Sequence, residues 1–502
     1  MNMNRPAWWA GAAALCLAVA APASAQEVTI VLPEEPAEMD LCDSGISASG
    51  RVLWDNVGEG LTRINVENGD VEPLLATEWN RVDDDTWSFT IREGVTFHNG
   101  EKLDAATVVH TVERLNVAAL ECFTGQYDFS QIKLSAEAKG PMTVELTTSE
   151  PDPILPTRVS FMPIDPPSAS MEAVTKQPVG TGPYRFAEWK PGESIRLERY
   201  DGYWGDKSAA AAATFVWRSD PAVRAAMVAT GEADLAYQIS PQDATTDMDV
   251  SYPNSETSFL LIDVAIPPLD DKRMRQALNH AIDREAMVGT IFHKDAVPAS
   301  QMIVPGTLGY NEGIAVPKYD PELAMKLIAE AKAGGVATDT EIVILGRLGV
   351  YPNSTESMEA IQAMLQAVGL NVRLQMMEVA AYGEYWVKPF PENRPANIIQ
   401  SQHDNSRGDA VFTAWAKYGS GGSQSRLSDP ALDDLINRAT AASGPERREL
   451  WEEVFRVVHE DIVAEIPLFH MVDTMRIAPR VNYKPSVATT SKMSVATIAF
   501  NQ

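Results

Sequence analysis

Glu341–Met376 reads EIVILGRLGVYPNSTESMEAIQAMLQAVGLNVRLQM. In its first five residues, Glu341–Leu345, one glutamate is followed by four apolar residues, three of them β-branched, the signature of a buried strand. Thr355–Val368 carries apolar residues at helical spacing, and Asn371–Met376 returns to a strand pattern. Strand, helix and strand in that order make a right-handed parallel unit. Such a unit belongs to an α/β fold, with helices covering a largely parallel sheet.

The same mixture extends outward in both directions. Val28–Leu32 (VTIVL) is a second short apolar strand, and Trp87–Ile91 (WSFTI) alternates as a half-exposed strand does. Turn signals at Glu93-Gly94 and Asn99-Gly100 flank Val95-Thr96-Phe97 and suggest a hairpin there. Asp104 begins a helix expected to run through Ala119, and Val144–Thr147 is another strand. Asp220-Pro221, Asp320-Pro321 and Asp429-Pro430 repeat one helix-start device. The carboxylate accepts an orphan amide hydrogen bond, and proline at the first helical position has no amide to leave unpaired. Ala209–Ala213 reads as a surface connection or a helix start. Glu446–Asp461 is an amphipathic helix, and Ile466–Phe469 the last apolar strand. Pro267-Pro268-Leu269-Asp270, after the apolar segment Phe259–Val264, is a candidate domain crossing; Met471–Pro479 is a second.

The chain has 502 residues and a net charge of -28. A length of this order implies two or three lobes. Such acidity repels phosphate backbones and argues against nucleic acid as a partner. At the N-terminus Arg5, the apolar run Trp8–Ala21 and the small residues Ala23-Ser24-Ala25 have the order of a secretory leader cleaved before Gln26. The apolar run falls short of the roughly 20 residues of a membrane-spanning helix. Leu15, where a small residue should precede a lipidated cysteine, argues against lipidation at Cys16. The reading is a soluble periplasmic protein, residues 1–25 being its signal peptide. Export leaves two cysteines, Cys42 and Cys122, in an oxidising compartment. They are expected to form a disulfide, the alternative being two buried thiols.

Catalytic chemistry is not visible. No G-x-S-x-G, P-loop, G-x-G-x-x-G or H-E-x-x-H occurs. Ser130-x-x-Lys133 matches a serine–lysine pattern without its companion motifs; a secreted serine hydrolase using these two residues is the remote alternative. The seven histidines are not paired at ligand spacing, so neither a metal site nor a cofactor is expected.

Several segments, taken in order, carry a resemblance. Trp87–Gly100 (WSFTIREGVTFHNG) is similar to the W-x-F-x-L-R-x-G-V-x-F-H-D-G signature of the extracellular solute-binding proteins of family 5, the peptide/nickel type. Pro178–Tyr184 (PVGTGPY), Trp189 and Tyr203-Trp204-Gly205 resemble that family's next block. Arg224–Asp234 and Asp271–Glu285 follow, then Tyr319–Glu322, Pro467–His470 and Val481–Pro485. The resemblance implies two α/β lobes joined by a hinge, the larger lobe discontinuous and bearing an extra subdomain. On this sequence, lobe one would be 26–263 plus 471–502, with the subdomain near 65–178, and lobe two 264–470. Trp87, Trp204, Arg275 and the Gly-Thr-Gly-Pro turn are read as holding the fold.

The same resemblance implies a monomer that binds a short peptide, without cofactor, and delivers it to the permease of an ABC importer. A nickel complex, an opine, a glycoside or an amino-acid derivative are the alternative solutes. Peptide-type members pair the ligand's ammonium with an aspartate. In Gln400-Ser401-Gln402-His403-Asp404-Asn405 that residue is Asp404, with Asp409 as alternative and His403 beside it. Dipeptide-type members hold the carboxylate with an arginine; Arg347, at the end of the strand quoted first, would present its fork there. Ile46, Ser47 and Ala48, on a loop after the first strand, and Tyr127 are further contacts implied by the family. Trp386 and Trp415, with Tyr385, are candidate walls of a side-chain pocket, or aromatic core.

Overall fold

The computed structural model describes residues 1, 26–45, 47–65, 70–127, 129 and 132–501. The leader, Ile46 and Ser130 lie outside the described residues. After β1 (Glu27–Leu32) comes the short helix α1 (Ser47–Leu53). Strands β2 (Ala76–Arg81) and β3 (Thr86–Ile91) precede α2 (Ala105–Leu115), whose first amides are capped by Asp104. Strands β4 (Leu134–Gly140) and β5 (Thr143–Thr148) complete a separate four-stranded sheet, ordered β2-β3-β5-β4. The chain returns through β6 (Tyr184–Lys190), β7 (Ser194–Arg199), β8 (Ala212–Trp217), α3 (Pro221–Thr230) and β9 (Leu235–Ala236). A 14-residue strand, β10 (Asp249–Ile262), leads onward. Next come α4 (Lys272–His280), α5 (Pro321–Ala333), β11 (Ile342–Arg347), α6 (Ser354–Ala367) and β12 (Val372–Met377). They are followed by α7 (Val379–Trp386), β13 (Ala396–Asp404), α8 (Val411–Tyr418), α9 (Pro430–Ala441) and α10 (Gly444–Arg456). The last long strand is β14 (Glu465–Ile477).

The strand–helix–strand unit forms as its sequence dictates: β11 pairs in parallel with β12, Ile342 opposite Val372. All three Asp-Pro helix starts form too. Asp220 accepts from the Ala222 amide at 2.8 Å, Asp320 from Leu323 at 2.9 Å and Asp429 from Ala431 at 3.0 Å.

The main sheet has eleven strands, ordered β12-β11-β13-β10-β14-β9-β1-β8-β7-β6, with Val297–Pro298 pairing off this path. Its two halves carry separate cores. Ile30, Leu197, Phe215 and Leu235 pack with Met475 and Ile477 on one side. Leu260, Ile262, Ile344, Ile398 and Leu468 pack on the other, where Phe259, Leu345 and Trp451 line a further cluster on the second half. A third core fills the four-stranded sheet and α2, around Phe89, Phe97 and Leu146. Only β10 and β14 belong to both halves of the main sheet. Their antiparallel register breaks between Pro253 and Thr257, opposite Val472 and His470.

Some local expectations are corrected. Val95–Phe97 makes the hairpin-like turn expected, Thr96 bridging antiparallel to Lys102 across Asn99-Gly100, while β3 takes its own partners from β2 and β5. The helix after Asp104 ends at Leu115, and Ala118–Leu120 is a separate 3-10 turn. Ala212 and Ala213 are buried strand residues, paired in parallel with Glu27 and Val28 of β1. The helix from Glu446 starts at Gly444 and passes into a π-helix over Val457–Ile462. Cys42 and Cys122 are bonded, with Cα atoms 5.1 Å apart, as expected.

The signature residues bind the fold together. Glu59 is buried and accepts from Thr181 Oγ1 at 2.8 Å, Tyr203 Oη at 2.8 Å and Trp204 Nε1 at 3.0 Å. Burial pushes its carboxyl up to about 7. Arg275 donates to the carbonyls of Leu269, Asp270 and Ile462, fastening α4 to the turn before β14. Trp87 Nε1 donates to the Asp152 carbonyl at 3.1 Å.

Candidate functional site: the cleft between the lobes

β13 places Asp404 at its C-terminal end, at the side of β10 where the register breaks. Asp404 is half-buried. Its oxygens accept from the Ser255 and Ser491 hydroxyls, from the Ser406 amide at 2.8 Å and from the Ser406 hydroxyl at 2.9 Å. Ser255 belongs to β10, Ser406 follows β13, and Ser491 comes from the C-terminal segment, so both sides of the cleft hold this carboxylate. No lysine or arginine pairs with it among the described residues. A carboxylate withdrawn from water and met only by neutral donors retains most of its charge uncompensated.

Ser255, Asn405, Ser406 and Ser491 also line a cavity of about 270 Å³, closed by Trp54 and Phe161 on one side and by Val304–Thr307 on the other. At its rim Lys492 pairs with Asp55 at 2.8 Å. A second cavity, of about 950 Å³, lies between the second lobe and the small sheet's subdomain. Trp386, Phe412 and Trp415 wall it opposite Phe123 and Ile132. Phe161 and Phe412 meet edge to face at 5.5 Å between the two cavities, with Trp54 edge-on to Phe161 at 5.4 Å. Arg158 stacks on Phe412 at 4.9 Å and Arg407 on Phe161 at 5.2 Å. The cleft is therefore divided into a small polar chamber and a large aromatic one.

Arg347 ends β11 and lines neither cavity. Its amide donates to Gln400 Oε1 at 2.9 Å, and its Nε has no hydrogen-bond partner among the described residues. The β11–β13 register continued from Leu345–Ile399 sets Arg347 beside Ser401, three residues short of Asp404 and, like His403, on the opposite face of the sheet. At about 3.3 Å per residue and about 4.8 Å between strands, the two Cα atoms are about 11 Å apart.

The remaining candidates are distributed as follows. His403 faces away from Asp404 along the strand; its ring meets the Thr413 hydroxyl on α8, and burial, helped by Lys417 and Arg407, holds it well below the ordinary histidine range. Asp409 is buried against Arg447, at 2.9 Å, and accepts from the Val411 amide, so its charge is already matched within the second lobe. Ser47 and Ala48 lie in the first turn of α1, not on a loop, and Ala48 is buried. Tyr127 ends the short helix Phe123–Tyr127; its side chain, like that of Ser47, lies outside the described residues. Trp386 and Trp415 share the large cavity, Trp386 stacking on Tyr382 at 5.6 Å.

Residue reading missed Ser255, Glu256, Phe161, Phe412 and Ser491. Asn254–Ser258 gave a usable signal: five polar residues interrupt a strand whose continuation, Phe259–Ile262, is wholly apolar. A polar run inside a buried strand marks a lined cavity or a bulge.

No described helix is long and apolar enough to cross a membrane. The sequence model of the bacterial extracellular solute-binding proteins, family 5, matches residues 70–425. The dipeptide-binding protein of Escherichia coli (strain K12) is 27% identical over 443 residues, covering 81% of this chain and 82% of its own. The glutathione-binding protein GsiB of Salmonella paratyphi A is 27% identical over 387 residues, 74% and 73% of the two chains. Among solved structures, the periplasmic binding protein DppA of Helicobacter pylori, in complex with the peptide STSA, superposes with a TM-score of 0.81. It is 20% identical and covers 95% of this chain and 98% of its own. With two cores joined by two long strands over a divided cleft, and a family match across most of its length, this chain belongs to the bacterial extracellular solute-binding proteins of family 5.

Proposed function

We propose that this protein captures a short peptide between its lobes in the periplasm and delivers it to the permease of an ABC importer. The observation that carries this is Asp404: a carboxylate held between the lobes by hydroxyl and amide donors and by no cation. A ligand ammonium supplies the missing charge, and charge-assisted bonds of this kind are the strong ones. Arg347, whose Cα lies about 11 Å along the sheet and whose side chain leaves the opposite face from Asp404, reaches the ligand's carboxylate around the end of β11. Two extended residues span about 7 Å, and the reach of the two side chains makes up the difference. The aromatic chamber accepts an apolar side chain. Relatives whose names state dipeptide and glutathione binding support the same ligand class.

On this reading the lobes divide at the register break, Pro253–Thr257 on β10 and His470–Val472 on β14. Pro267-Pro268 then lies beyond the crossing, within the second lobe. The protein acts as a monomer without catalysis, and residues 1–25 are removed on export.

Calorimetric titration with a panel of di- and tripeptides tests the assignment. Asp404→Asn should weaken binding by about 2 kcal/mol or more, roughly thirtyfold, because it strands the ligand's buried ammonium. Arg347→Ala should weaken peptides more than their C-terminal amides. Unchanged affinity in both variants would mean that the ligand sits elsewhere; a panel without any binder would favour a different solute.

A further inference from the structure

Three carboxylates, Asp473 buried and Glu256 and Asp404 half-buried, converge on the register break. Glu256 sits directly opposite Asp404 in the β10–β13 pair, so both side chains leave the same stretch of sheet. Asp473, on β14, acts on Glu256 from the other flank. One cation faces them, Arg51 of α1, which donates to Tyr237 Oη at 3.2 Å; Tyr237 in turn donates to Asp473 at 3.2 Å. The donors around them are incompletely used. Among the described residues, the hydroxyl of Tyr252, opposite Asp473 across β10 and β14 and 4% exposed, has no partner, nor has the Nε of Arg51, 5% exposed. Glu256 remains half-open, with the Gln402 amide as its hydrogen-bond partner.

Were all three carboxylates ionised, the charges would not balance: Arg51 offsets one, and the ligand ammonium at Asp404 a second. We propose that Glu256 receives a second cationic group of the ligand, so that the protein prefers peptides whose first residue is basic. This rests on the peptide reading above. Glu256 is faced by Asp404 from β13, Asp473 from β14, Arg51 from α1 and the Tyr237 hydroxyl. Burial first, then Asp473 and Asp404, push its carboxyl well above the ordinary range, so it holds a proton when no cation is near. A ligand ammonium or guanidinium ionises it, and the proton leaves to solvent. Binding of a basic peptide therefore strengthens as pH rises, relative to a neutral one.

The test is a comparison of Lys-Ala with Ala-Ala by calorimetry on the full chain, between pH 6 and 8, in phosphate and in Tris. The expected result is a preference for Lys-Ala of about tenfold or more that grows with pH. Lys-Ala should also release more protons than Ala-Ala, read as a buffer-dependent heat. In Glu256→Gln, with its melting temperature as a control of folding, the preference should collapse towards one. Equal affinities for both peptides in the unaltered protein, or an undiminished preference in a folded Glu256→Gln, overturns the assignment alone. No binding of any peptide overturns the peptide reading and this assignment with it.

Discussion

His98 joins the hairpin-like signature to the Gly-Thr-Gly turn. Its Nδ1 accepts from the Gly180 amide at 3.3 Å and its Nε2 donates to the Gly182 carbonyl at 2.9 Å, which fixes a neutral tautomer. The turn must be glycine at both places, because a Cβ on Gly180 or Gly182 would strike the Val57 or Asn56 carbonyl oxygen. Burial lowers His98 to about 4 from an ordinary 6.5. The folded state thus binds fewer protons than the unfolded chain between those values, and stability falls as pH drops from 6.5 towards 4. Glu59, raised to about 7, works the other way, losing stability as pH rises from 4.5 to 7. Only a difference between variants isolates one group. His98→Gln should unfold about 1–3 kcal/mol more easily at pH 7, having lost a buried hydrogen-bond pair. Its deficit relative to the unaltered protein should also shrink as pH falls from 6.5 towards 4. Parallel curves would show that His98 does not carry this pH dependence. Legibility at this scale followed locality. Asp404 was singled out because its segment resembles one of the family's. Glu256 was not, since its role arises from a partner 148 positions away by register, which no local pattern encodes.

At the scale of elements, chemistry confined to one turn was readable, and pairing across the chain was not. The three Asp-Pro helix starts depend on adjacent residues and formed as written. The strand Trp87–Ile91 was recognisable, but its partners were not, because β2 and β5 supply its hydrogen bonds from segments whose own patterns do not name it. The long strands β10 and β14 were each read as a short apolar segment. Their polar residues face the cleft or one another, so alternation breaks down where function begins. The disulfide is the one long-range link that counting alone suggested. It ties the turn Leu41–Asp43 to the start of the helix Phe123–Tyr127, across a separation of 80 residues. Cross-linking so large a loop removes much unfolded-state entropy. Replacing both cysteines by alanine should lower stability by about 2–5 kcal/mol, measured by denaturant unfolding. Mass spectrometry of unreduced peptides should recover the Cys42–Cys122 pair; free thiols at both positions would remove the basis of the expectation.

At the scale of the whole molecule, the two lobes meet through a small apolar bridge as well as through the hinge strands. Trp54 and Phe161 come from one side and Phe412 from the other, all at least nine-tenths buried, and Arg158 and Arg407 cover the rings. Such a bridge forms only when the cleft is shut, so its energy belongs to closure and not to either lobe's own core. The ligand's affinity then includes the closing equilibrium, and anything that weakens the bridge lowers apparent affinity without touching the ligand's charged ends. Phe412→Ala removes one edge-to-face pair, worth about 0.5–1.5 kcal/mol beyond area burial, and the cation–π contact with Arg158. Peptide affinity should fall at least about two- to twelvefold. The radius of gyration by small-angle scattering should increase for the ligand-free protein and return to the unaltered value at saturating peptide. Binding that weakens while the ligand-free dimensions stay the same would place Phe412 in direct contact with the ligand. Unchanged affinity would show that the bridge contributes nothing to closure.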